Sequence, residues 1–97
     1  MAFVEQLPIQ IKETGGIGAV VDISQHSGKG YDFSRGVGAG FTSALEGSVA
    51  QRNWTTLVNL NVSSQGQIPS QYNYLRTNTT VAGALGTGTE LVTAGRC

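Results

Sequence analysis

Apolar side chains recur at every second position over long stretches of this chain, and glycines break those stretches before a helix could form. The clearest run is Trp54, Thr56, Val58, Leu60 and Val62, with Asn59 and Asn61 on the opposite side. A period of two is that of a half-buried strand, whereas a helix repeats every 3.6 residues. We therefore expect a strand over residues 54–62, placed centrally in its sheet. Leu7, Ile9 and Ile11 alternate in the same way with Gln6, Gln10 and Lys12. Pro8 lies inside that run, and because proline cannot donate to a ladder the strand belongs at a sheet edge. Thr14, Gly15 and Gly16 read as a tight turn. Residues 17–23, with β-branched Val20, Val21 and Ile23, predict a second strand, pairing with the first as a hairpin.

Residues 37–49 satisfy two periods at once. Val37, Ala39, Phe41, Ser43, Leu45, Gly47 and Val49 alternate, while Phe41, Leu45 and Val49 also fall at helical spacing behind a Ser43 to Glu46 capping pattern. Gly36, Gly38, Gly40 and Gly47 decide for a strand, since each glycine costs a helix about 1 kcal/mol relative to alanine. Residues 24–30 and 63–71 read as loops, residues 31–33 as a short strand, and residues 71–77 as a strand with Tyr72 and Tyr74 on one face. Residues 79–94 suggest two short strands around a glycine-rich bend. Six to eight short strands without a secure helix predict an all-β fold, an antiparallel β-sandwich or small barrel. The 97 residues make one β domain, with residues 1–6 a candidate N-terminal arm and 95–97 a flexible tail.

Charge narrows the function. Twelve residues are charged, six of each sign, for a net charge of zero, against 14 glycines and 18 serines and threonines. Soluble small domains carry about a quarter charged residues, and net charge keeps them apart. A polar, uncharged surface suits a chain covered by copies of itself or by a partner. Leu, Ile, Val and Phe number 24, enough to fold. Cys97 is the only cysteine, so no internal disulfide supplements a core of this size, and oligomerisation is the natural supplement. Cys97 itself reads as an idle thiol rather than an interchain link.

The sequence shows no enzyme. His26 has Asp22, Ser24 and Ser27 beside it, but triads are assembled from separated elements around a rigid nucleophile turn, and the cluster reads as a solvated loop. One His, one Cys and scattered carboxylates offer no metal-ligand spacing. The Gly28-Lys29-Gly30 segment fails as a phosphate loop because Ile23 stands where its first glycine is required. The six basic residues are dispersed and balanced by acidic ones, so neither nucleic acid nor any cofactor is expected. No run approaches a membrane span, and residues 1–10 lack the pattern of a signal peptide. Three N-glycosylation sequons begin at Asn53, Asn61 and Asn78; we read them as composition.

The expectation is a structural subunit of a homo-oligomeric particle or filament: a viral or phage capsid, decoration, tail or fibre protein, or a pilus-like subunit. It would be made in the cytoplasm and reside in a virion or extracellular assembly, with Leu7, Pro8, Ile9 and Ile11 as candidate intersubunit contacts. The alternative is a carbohydrate-binding module or adhesin domain using Trp54, Tyr72 and Tyr74 as an aromatic platform, although core packing is the plainer role for all three.

Overall fold

The computed structural model describes residues 4–96, which form nine strands and no helix. In chain order these are β1 (Val4–Pro8), β2 (Gly16–Ile17), β3 (Val21–Asp22), β4 (Ser27–Ser34), β5 (Thr42–Ser48), β6 (Thr55–Asn59), β7 (Ser64–Gln67), β8 (Tyr74–Val81) and β9 (Glu90–Arg96). They build two antiparallel sheets. The first has the order β1, β9, β4, β7; the second has the order β2, β8, β5, β6, with β3 also on β8. The all-β expectation holds.

The long run over residues 37–49 is a strand, as its glycines demand, but only from Thr42 onward. Several partners differ from expectation. Residues 7–11 and 17–23 form no hairpin: β1 pairs with β9, while β2 and β3 each pair with β8. Ile9 and Ile11 are nevertheless buried, because residues 9–14 cross from one sheet to the other. Alternate burial in such a crossing looks in the sequence like a strand. Pro8 does sit on an edge strand, opposite Val92. The run expected to be central, β6, is an edge. Its alternation carries no information about how many neighbours the backbone has, and burial does not follow it either: Leu57 and Val58 are both half-buried while Thr56 and Val62 are exposed. β4 begins in the stretch expected to be a loop, and β7 lies wholly in another. Residues 4–5 of the expected arm and 95–96 of the expected tail pair with each other in the ladder, Val4 opposite Arg96 and Glu5 opposite Gly95, and Gln6 continues it opposite Ala94. Residues 1–3 and Cys97 lie outside the described residues.

The core between the sheets is Ile9, Ile11, Ile23, Phe33, Phe41, Leu45, Leu60, Ile68, Leu75 and Leu91. Phe33 and Phe41 meet edge to face at 6.4 Å between centroids, the arrangement ring quadrupoles favour. Much of the remaining interior is hydroxyl. Thr77, Thr93 and Ser43 are fully buried. Their oxygens are satisfied locally: Thr77 Oγ1 donates to the Gln10 carbonyl at 2.6 Å, Thr93 Oγ1 donates to that of Gly30 at 2.9 Å, and Thr79 Oγ1 donates to Ser43 Oγ at 3.2 Å. Most buried hydroxyls have such partners; Ser64 Oγ is buried without one among the described residues. Five of the 18 serines and threonines, Ser43, Ser48, Thr77, Thr79 and Thr93, are thus interior, where such short side chains tie strands to their neighbours.

Candidate functional site

The loops at one end of the sandwich, residues 34–41, 60–63 and 82–89, are sewn to one another. The Arg35 amide donates to Ser63 Oγ at 2.9 Å, the Gly36 amide donates to Thr89 Oγ1 at 2.7 Å, and the Gly40 amide donates to the Ala84 carbonyl at 2.8 Å. Val37 and Thr87 exchange a pair of main-chain bonds. Arg35 is the one charged residue in these three loops, and it is turned inward. Its guanidinium donates to the carbonyls of Leu60 at 2.9 Å, Phe41 at 2.8 Å and Ala39 at 3.3 Å, and its Cζ lies 4.5 Å from the centre of the Phe41 ring. At the same end Val37 is 85% exposed, Val62 67% and Val81 54%. The result is a set of pinned loops that present valines and no outward charge of their own, with exposed Glu13 and Glu90 at their margin.

Beside that end lies a groove of about 520 Å³ between residues 8–14 and 85–91, larger than a second concavity along β4 and β9. Ile9, Ile11, Leu85 and Leu91 line it with apolar side chains, and Lys12 and Glu13 are among its polar lining. The smaller concavity, about 280 Å³, lies along β4 and β9, where Gly28, Gly30 and Ala94 leave the sheet bare.

The charges missing from the surface are partly inside. Lys29 is buried, and its ammonium donates to the carbonyls of Tyr72 at 2.7 Å and Ser70 at 3.1 Å and to Asn73 Oδ1 at 3.4 Å. Three donors meet three acceptors, so this ammonium is fully hydrogen-bonded and acts as a strut under the 68–73 loop. Glu46, also buried, accepts from Arg76 Nε at 2.8 Å and from Asn78 Nδ2 at 3.5 Å.

His26 is buried rather than solvated as the sequence suggested. Its Nε2 lies 3.0 Å from Glu5 Oε1 while Nδ1 has no partner among the described residues, so the ring fastens edge strand β1 to the 23–27 turn. The expected Asp22, Ser24, His26 grouping does not form a relay. Asp22 is bonded to Ser24 instead, and the Ser24 hydroxyl at 2.6 Å, with the Ser24 amide at 2.9 Å, lowers its carboxyl below the ordinary 3.8. Among the described residues no three of His, Cys, Asp and Glu are placed to hold a metal.

The residues singled out in the sequence are dispersed. Leu7 is half-buried and Pro8 exposed, whereas Ile9 and Ile11 belong to the core and reach the surface only as lining of the groove. Tyr72 packs against the core, and a side chain on Gly47 would meet its ring at 3.1 Å. Gly47 is on the inner face, opposite Leu75, whereas Tyr74 points to the outer face with Arg76. Trp54 is half-buried, and the Arg76 guanidinium lies over its ring at 4.1 Å. The three aromatics thus form no common platform. Sequence reasoning missed Arg35 and the valine end; the signal available was the near-absence of charge in residues 34–41, 60–63 and 82–89. Comparison with protein-family models, curated proteins and solved structures finds no match for the chain.

Proposed function

We propose that this chain is a structural subunit that assembles with copies of itself into a particle or filament, as a capsid, decoration, tail or fibre component or a pilus-like subunit. The observation that carries this reading is the end built from residues 34–41, 60–63 and 82–89. Val37, Val62 and Val81 stand in solvent there while the only charge of the three loops is folded inward onto carbonyls. Scattered exposed valines need no explanation, but loops that turn valines out and their one charge in, with exposed Glu13 and Glu90 at the margin, have the composition of a contact surface with a polar rim. The zero net charge removes the electrostatic repulsion that would oppose like-with-like packing. The open edge of β6, Thr55–Asn59, carries no charged residue or proline to blunt it.

The test is the solution mass of the purified chain by size-exclusion chromatography with light scattering, together with electron micrographs. Wild type is expected as an oligomer, and Val37→Glu with Val62→Glu as a folded 10.1 kDa monomer. A wild type that stays monomeric at high concentration overturns the reading.

A further inference from the structure

We infer that copies of this chain also join side by side through β7, each laying its edge of Gln65, Gly66 and Gln67 antiparallel against the same edge of a second copy. This rests on the assembly reading above and names a further contact, on the flank of the sandwich rather than at its valine end. Among the described residues the two sheets have four edges. β1 carries Glu5 and Pro8, and β2 and β3 are two residues each, with Asp22 in β3. Charge, proline and shortness all discourage pairing. β6 and β7, joined by residues 60–63, close the opposite flank, and residues 53–75 contain no charge. β6 is bulged, since its register with β5 skips Leu57. β7 keeps unbroken register with β4, and Gln65, Gly66 and Gln67 are exposed.

That register says which groups are free. The Ile68 amide donates to the Lys29 carbonyl at 3.0 Å, and main-chain groups alternate sides along an antiparallel strand. Gly66 therefore turns its amide and carbonyl to β4, while those of Gln65 and Gln67 face outward without a partner among the described residues. The pattern is its own complement. With Gly66 on a twofold axis, Gln65 of each copy exchanges both main-chain bonds with Gln67 of the other, and the two Gly66 Cα atoms come to about 4.5 Å. The glutamine side chains meet on the outer face, where an amide is donor and acceptor at once and so matches its own kind. An axis perpendicular to the sheets also brings uncharged β6 alongside its copy. A lone extended peptide would cover one of these edges and leave the other, so a second copy is the occupant that fits the flank. Paired strands run in opposite directions, which leaves a valine end free at either extreme to extend the assembly. A ladder this short adds to an assembly without holding two copies together in dilute solution.

The experiment uses the full chain. In assembled wild type, quenched hydrogen exchange read by NMR is expected to show the Gln65 and Gln67 amides slowed at least about tenfold relative to an unstructured peptide. Gln65→Lys with Gln67→Lys sets like charges against each other across the axis and is expected to leave only the smaller species held by the valine end. Gln65→Lys with Gln67→Glu sets opposite charges there and is expected to keep the wild-type mass by light scattering. Both positions are exposed, and circular dichroism confirms that each variant folds; Gly66 is left alone because a side chain there would meet the Tyr31 ring at 3.0 Å. Wild-type assemblies whose Gln65 and Gln67 amides exchange at the unprotected rate, or two variants of the same mass, overturn the contact and leave the assembly reading standing. A wild type that stays monomeric at high concentration overturns both.

Discussion

Replacing Gly95 by alanine puts a methyl group where His26 already is. The new Cβ would stand 2.5 Å from His26 Cβ, 2.7 Å from Cγ and 2.8 Å from Nδ1, inside any tolerable contact. The ring cannot simply rotate away, because its own Cβ is the nearest atom and the His26 amide is fixed to the Ile23 carbonyl at 3.0 Å. The 23–27 turn must lift, at an overpacking cost of about 1–3 kcal/mol. The bond between His26 and half-exposed Glu5 is lost with it, another 0.5–1.5 kcal/mol or so. Alanine in a strand returns about 0.5–1 kcal/mol over glycine, which leaves a net loss of about 2 kcal/mol. For a domain of this size that lowers Tm by roughly 8–16 °C. The decisive measurement is a double-mutant cycle with His26→Gly by urea or thermal unfolding. Once the opposing Cβ is gone, Gly95→Ala should become neutral or stabilising. A cost that agrees in the two backgrounds to within about 0.5 kcal/mol would refute the steric argument.

Lys29→Ala removes a buried stem and strands the Ser70, Tyr72 and Asn73 acceptors; a loss of about 2–4 kcal/mol is expected in chemical denaturation. The same change should speed hydrogen exchange in the 68–73 loop. Gln51 is the one described non-glycine residue with positive φ, at 61°, so Gln51→Gly should raise stability by up to about 1 kcal/mol, read as a higher Tm. Asp22 has its carboxyl held below the ordinary value by Ser24, so its contribution is present above the unfolded-state pKa and is lost as pH falls through the folded one. Wild type should therefore exceed Ser24→Ala in Tm at about pH 5–7, with the gap closing toward about pH 2; a gap that widens in acid contradicts the sign.

Strand content was legible where apolar residues alternate in the sequence, as over β5 and β6, although burial itself alternates along β8 and β9, while β5 is buried on both faces and β6 follows no period. Burial in turn has more than one cause. Ile9 and Ile11 are buried by a crossing segment, so the expected hairpin partner was wrong although the buried residues were right. β7, with the sequence Ser-Gln-Gly-Gln, owes its pairing with β4 to its backbone and leaves no hydrophobic signature to read. Gly28 and Gly30 looked like a loop because glycine is the usual residue of turns, yet here they flatten the outer face of β4. The valine end was hidden for a different reason. Its three loops are far apart in sequence, and only the sheet order shows that they share one end and that Arg35 faces in.

The position of β9 has a consequence during synthesis. This strand lies between β1 and β4, so until residues 90–96 have left the ribosome the first sheet is no more than a β4–β7 ribbon and an unattached β1. A two-stranded ribbon is marginal in water. The groove is equally unfinished, since Glu90 and Leu91 help line it. A nascent chain consequently has all the strands of its second sheet, which end at Val81, before it can complete the first, and the core is covered from both sides only when β9 arrives.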